Sequence, residues 1–190
     1  MKNPHYEEIL VGQSINPVIS GQYDETSDVR VIMGNPLTGR PMEQTADGGA
    51  IHHTRFLSAH TSEITIIPEG DKADEFAGWI MPRLNQFSVS RSYFSWLFGK
   101  KKAYRLDARI KGGERHMIMS GEYDKVLPMD IYAEYLIKAI ITGDIDKQEQ
   151  LGIYEVSPED FALAEFVDSS KLELQRIVRE GLDVLRKENE

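Results

Sequence analysis

The apolar residues of this 190-residue chain change period near two consecutive glycines, Gly112-Gly113, and that switch limits the fold more than any other feature. Before it, short apolar runs end at turn residues. Val29-Arg30-Val31-Ile32-Met33 stops at Gly34, and Glu63-Ile64-Thr65-Ile66-Ile67 stops at Pro68-Glu69-Gly70. Ile9-Leu10-Val11 is a further strand candidate before Gly12. Over 103–110, Tyr104, Leu106, Ala108 and Ile110 alternate with Arg105, Asp107 and Arg109, the period-two pattern of a half-buried strand. Residues 38–61 carry Gly, Thr and His with little periodicity and read as a long loop. The aromatic stretch near 87–98 reads as an amphipathic helix.

After the glycines the spacing becomes helical. Pro128 is placed to open a helix whose stripe is Ile131, Tyr135, Leu136, Ala139 and Ile140, closed by Gly143. Asp144 can cap a short helix running to Gly152. Ser157-Pro158-Glu159-Asp160 supplies an N-cap, a first-turn proline and acids that suit the helix dipole. Ser170 with Glu173 has capping-box spacing. Behind it Leu174, Ile177, Val178, Gly181, Leu182 and Leu185 line one side of a final helix. The expected class is α+β, with a β-rich part over 1–112 and a helical part over 113–190.

Hydrophobic residues make up 41% of the chain, enough for a packed core, and the net charge of −9 argues against nucleic acid as a partner. The chain has no cysteine, which excludes disulfides, thiolate zinc sites, cysteine-held iron–sulfur clusters and a cysteine nucleophile. A cytosolic setting fits. Met1-Lys2-Asn3-Pro4-His5 carries no secretory pattern, and no window approaches the roughly 20 apolar residues of a spanning helix.

No catalytic, cofactor-binding or metal-binding set emerges. His52, His53 and His60 cluster, yet no carboxylate lies at ligand spacing, and a solvated loop is the simpler reading. Gly34-Asn35-Pro36-Leu37-Thr38-Gly39 lacks the Lys-Ser or Lys-Thr of a phosphate loop. One docking candidate stands out. Tyr93, Trp96 and Phe98 precede Lys100, Lys101 and Lys102, an aromatic stretch with a basic end suited to a partner or a membrane surface.

Several motifs carry a family resemblance. Lys2-Asn3-Pro4-His5-Tyr6, Val11-Gly12, Val29 to Gly34 and Leu37-Thr38-Gly39-Arg40 resemble the soluble-ligand-binding β-grasp (SLBB) module. That module occurs in the A subunit of the sodium-translocating NADH:quinone oxidoreductase, in the flavin-bearing subunit of complex I and in the C subunit of the Rnf complex. Phe76-Ala77-Gly78-Trp79-Ile80-Met81-Pro82, Phe87-Ser88-Val89-Ser90-Arg91, Gly112-Gly113-Glu114-Arg115 and Tyr123-Asp124-Lys125-Val126-Leu127-Pro128 resemble the C-terminal part of the sodium pump's A-subunit family specifically. The family's strand before Asn-Pro would lie upstream of Met1, so two further N-terminal domains are expected.

The resemblance implies a partial β-grasp region followed by a cysteine-less ferredoxin-like helical domain. In the Rnf relative this region is a two-cluster ferredoxin, held by Cys-x2-Cys-x2-Cys-x3-Cys-Pro runs whose last cysteine ligates the other cluster. Anchored on Pro128, the ligand positions become Met117, Ser120, Tyr123 and Leu127, and the second run maps to Pro158, Phe161, Ala164 and Asp168. Met117, Tyr123, Leu127 and Phe161 are then expected to fill one core, with Ser120 and Asp168 at its edge because an unpaired buried carboxylate is costly. The resemblance further implies no redox cofactor in this chain, with flavins and the iron–sulfur centre in other subunits. The implied partners are those subunits and a quinone, at the cytoplasmic face of the bacterial inner membrane. An electron-carrying relative of the Rnf or complex I kind is the first alternative, against which the missing cysteines speak. A free-standing ligand-binding β-grasp module is the second.

Overall fold

The computed structural model describes residues 6–23, 28–42, 45–47, 50–52, 56–70, 87, 93–98, 103–104, 106–110 and 113–190. The chain divides into two compact units, Met1–Phe76 with Arg105–Arg109, and Ala77–Tyr104 with Ile110–Glu190.

The first unit is built on α1 (Asn16–Ile19), β1 (Val29–Met33), β2 (Arg40–Pro41), β3 (Thr45–Asp47), β4 (Ala50–His52) and β5 (Ile64–Pro68). The Val/Ile-rich runs at β1 and β5 pair antiparallel in the register Val31↔Ile66, with β2 on the other side of β1. Alternation then sets Val31, Met33, Ile64 and Ile66 toward one small core with Ile15, Ile19 and Met42. Gly34, at φ +105°, opens the turn into β2; Asn35 braces it by accepting from the Leu37 and Thr38 N–H groups, both at 2.8 Å. Arg30 and Glu69 form a two-pronged ion pair near the ends of β1 and β5.

Three strand and loop expectations are corrected here. Residues 9–11 are not a strand: Gly12, at φ +80°, turns the chain, and its N–H donates to Leu57 O, leaving Leu10 and Val11 exposed. The segment 38–61 is not one long loop, since β2 joins the sheet and β3 pairs antiparallel with β4. Residues 106–110 form no strand despite their alternation. The Ala108 N–H donates to Pro68 O of β5 at 2.9 Å. The Asp107 carboxylate accepts from both the Arg109 N–H and its guanidinium, which bends the chain locally and competes with strand pairing. Leu106 and Ile110 are 56% and 68% exposed as a result.

The second unit carries α2 (Ala133–Thr142), α3 (Ile145–Gln150), α4 (Ala162–Val167) and α5 (Leu174–Asn189), with 3-10 turns at Phe94–Phe98, Tyr123–Lys125, Ile153–Glu155 and Pro158–Phe161. Its core gathers Tyr123, Ala133, Leu136, Ile137, Ile153, Phe161, Ala164, Leu174, Val178 and Leu185. α2 closes on Gly143 at φ +70°, whose N–H satisfies C-terminal carbonyls. α3 is capped by Asp144, which accepts from the Lys147 N–H at 3.1 Å. Ser157 and Asp160 form a reciprocal capping box. α5 lies so close to its neighbours that a Cβ on Gly181 would sit 2.9 Å from Ile140.

Corrections apply here too. The helix expected near 87–98 is a 3-10 turn over Phe94–Phe98, and Phe87 lies outside it; residues 88–92 fall outside the described set. Pro128 lies in a bend after the Tyr123–Lys125 turn and does not open α2, which begins five residues later at Ala133. Tyr135 is exposed, and Ile137 takes a buried place that the expected stripe omitted. Ser170 does not cap α5. It is fully buried, and its hydroxyl accepts from the Ile118 N–H. The Gln175 N–H in the first turn is instead satisfied by Glu165, reaching over from α4 at 2.8 Å.

Candidate functional site

α4 is short and amphipathic. Ala164 and Val167 face the core, which turns Leu163 and Phe166 outward. Phe166 is not left bare: Phe87 stacks on it with ring centroids 5.5 Å apart, and Tyr104 meets Phe87 edge-on at 5.6 Å. The Tyr104 hydroxyl donates to Ser95 O at 3.5 Å, tying the aromatic group to the 3-10 turn. In that turn Ser95 is buried, and Phe94, Trp96 and Leu97 are 46%, 46% and 61% exposed; Tyr93, just before it, is half-buried. Of the docking candidates, Trp96 lies in the turn that Tyr104 ties to Phe87, and Tyr93 immediately precedes that turn. Phe98 ends the turn, and Lys100, Lys101 and Lys102 lie outside the described residues. Leu163 and Phe166 are exposed on α4 and were not singled out from the sequence; their i, i+3 spacing opposite Ala164 and Val167 was the available signal.

A second feature is polar and buried. Asp168, just past α4, is 0% exposed, contrary to the expectation that it lies at an edge. It escapes the cost of an unpaired carboxylate because it accepts from the Ser170 N–H at 3.1 Å and the Leu172 N–H at 2.8 Å. Those bonds hold Lys171 between them at φ +59°, unusual for a residue with a side chain. Ser170 also accepts from the Arg115 N–H at its carbonyl, so the loop after α4 fastens the segment 115–118.

Tyr123 lies against Asp168. Burial first, and then the Asp168 charge, push its phenol above the usual tyrosine range. Its hydroxyl makes no hydrogen bond of normal geometry. Glu134, buried in the first turn of α2, accepts from the N–H groups of Ser120 and Gly121 at 3.0 and 2.7 Å. Burial raises Glu165, opposed by the bond from Gln175. Burial lowers Lys171, opposed by Asp168.

All four large residues at the mapped ligand positions share the second unit's core. Tyr123 and Phe161 are fully buried, and Met117 and Leu127 are half-buried against them. Ser120 is exposed, as expected of an edge. Among the described residues no three His, Cys, Asp or Glu side chains converge as metal ligands. His60 is exposed and His53 lies outside the described residues. No helix among the described residues is long and apolar enough to cross a membrane.

No family model matches the chain. Curated proteins do. The chain is 35% identical over 188 residues to the A subunit of the Na(+)-translocating NADH-quinone reductase of Rhodopirellula baltica, covering 99% of this chain and 39% of that protein. It is 32% identical to the corresponding protein of Haemophilus influenzae strain PittGG, with the same shares covered. The Neisseria meningitidis protein of the same name is 30% identical, with 99% of this chain and 40% of that protein aligned. The chain thus spans about two-fifths of the length of the curated relatives it matches. With a match that runs through both units, the chain belongs to the A-subunit family of the Na(+)-translocating NADH-quinone reductase.

Proposed function

We propose that this chain works as a docking and scaffolding part of a complex that oxidises NADH, reduces quinone and exports sodium ions, held at the cytoplasmic face of the bacterial inner membrane by its partner subunits. One observation carries the reading: 30–35% identity to A-subunit proteins across 99% of the chain. On this reading flavins and the iron–sulfur centre sit in other subunits, and this chain contributes surface. The contact surface is the aromatic face of Phe87, Trp96, Leu163 and Phe166, extended in sequence by Lys100, Lys101 and Lys102.

The helical part is read as a ferredoxin-like scaffold whose cluster positions have become core. Interleaved ligation predicts that the last position of the second run meets the first run. The contact of Tyr123 with Asp168 supports this, as does the shared core of Leu127, Phe161 and Ala164. Backbone N–H groups that would otherwise need an anion find one in Glu134 and Asp168. The first part is read as a partial SLBB-like β-grasp.

The test is genetic and biochemical. Deleting the gene should abolish sodium-stimulated NADH:quinone reductase activity in membrane preparations, and a tagged copy should co-purify with membrane-embedded subunits. Membranes that keep full sodium-stimulated activity after deletion refute the assignment.

A further inference from the structure

We propose that residues 106–109 are a strand held in reserve, which joins the unpaired edge of β5 when the clasp between Asp107 and Arg109 opens. The segment belongs to the same compact unit as β5, and no partner subunit is needed. The edge comes first. β1 and β5 pair through Arg30↔Ile67 and Ile32↔Thr65; beyond them the Glu69 N–H donates to Asp28 O at 3.0 Å and the Gly34 N–H to Glu63 O at 2.9 Å. The backbone groups of residues 63, 65, 67 and 69 are therefore spent on β1. Antiparallel alternation turns those of Ile64 and Ile66 to the opposite side, where neither has a backbone partner among the described residues. β5 itself carries no charge to blunt that edge, and an edge of this kind is a template for a further strand.

The segment is placed and patterned to fill it. The Ala108 N–H already donates to Pro68 O, the next even-numbered position along the same edge. Leu106 and Ala108 alternate with Asp107 and Arg109, and Leu106 stays exposed in the bent form. What holds the segment back is local. The Asp107 carboxylate accepts from the Arg109 N–H at 3.2 Å and from its guanidinium at 2.7 Å, a bend that extended backbone cannot keep. The bend lies against Gly70, at φ +91°, where an added Cβ would stand 2.6 Å from Arg109 Nε, so the turn after β5 leaves room for the clasp. Two arrangements of the same residues compete. One has charge-assisted bonds within the segment; the other has backbone bonds to β5 and covers an apolar side chain.

Amide hydrogen exchange of the full chain tests it, read at Ile66, whose N–H points to the unpaired edge, and at Thr65, whose N–H points to β1. In the wild type Ile66 should exchange far faster than Thr65. Asp107→Val removes the acceptor of the clasp and favours extended backbone, so exchange at Ile66 should slow by roughly tenfold or more. Arg109→Thr opens the clasp from its other side and should do the same. Adding Ala108→Pro to either variant removes the N–H that starts the pairing and should restore fast exchange at Ile66. Protection at Thr65 shows that the sheet is kept; should Asp107→Val lose it, Arg109→Thr decides. Exchange at Ile66 that is already as slow as at Thr65 in the wild type means that the edge is covered, and the proposal fails. It also fails if Ile66 is unchanged in a clasp variant that keeps Thr65 protected, or if Ala108→Pro leaves the slowing in place.

Discussion

Replacing Asp168 should reveal how much of the helical unit hangs on one carboxylate. In Asp168→Ala the N–H groups of Ser170 and Leu172 lose their acceptors inside the protein, where no exposed surface offers water. A buried donor left unpaired costs about 1–3 kcal/mol, so the pair costs roughly 2–6. Part is returned, because a carboxylate no longer has to be kept out of water. The expected net loss is about 3 kcal/mol, a drop of roughly 10–20 °C in melting temperature for a domain of this size. Asp168→Asn keeps one carbonyl acceptor and should lose about half as much. The assay is thermal and urea unfolding followed by helical circular dichroism. The loss should also appear locally, as faster amide exchange at Ile118, whose N–H depends on the placement of Ser170. A melting change under about 5 °C for Asp168→Ala would show that the loop is not held by its carboxylate, and the reasoning would fail.

Other outcomes follow from the same structure. Phe161→Ala empties a fully buried site and should cost about 3–5 kcal/mol in urea unfolding. Tyr123→Phe removes a buried hydroxyl with no bond of normal geometry and should change stability by less than about 1 kcal/mol; a loss above about 2 would place a strong bond to Asp168 there. Gly143→Ala meets no neighbour within 4 Å but must adopt φ near +70°, so it should cost about 1 kcal/mol from backbone strain alone. Burial raises Glu165, so the folded state holds its proton more tightly than the unfolded state, and stability should fall as pH rises from about 4.3 through the folded pKa. Glu165→Gln keeps an acceptor for Gln175 and should flatten that slope; an unchanged pH profile argues against the burial effect. Purified protein should be colourless, and iron at roughly four or more atoms per chain by elemental analysis would overturn the cluster-free reading.

What was legible in the sequence was local. Val29–Met33 and Ile64–Pro68 declared themselves because β-branched runs ending in Gly or Pro suit little else. The caps at Asp144 and Ser157, the stop at Gly143 and the stripe of α5 were equally legible, since each depends on residues within one or two turns. The quoted motifs also carried the family resemblance, which the A-subunit relatives bear out. Tertiary structure decided the rest, where a local pattern had two possible partners. Residues 106–110 alternate like a strand, yet Asp107 captures Arg109 and the strand is lost. Ser170 had the spacing of a cap, yet the Ile118 N–H, 52 positions away in sequence, claimed its hydroxyl. Asp168 looked too costly to bury, because its cost depends on donors that only the folded loop brings to it. Periodicity reports which face is apolar; it does not report which distant polar group satisfies a buried one, and that is settled when the chain packs.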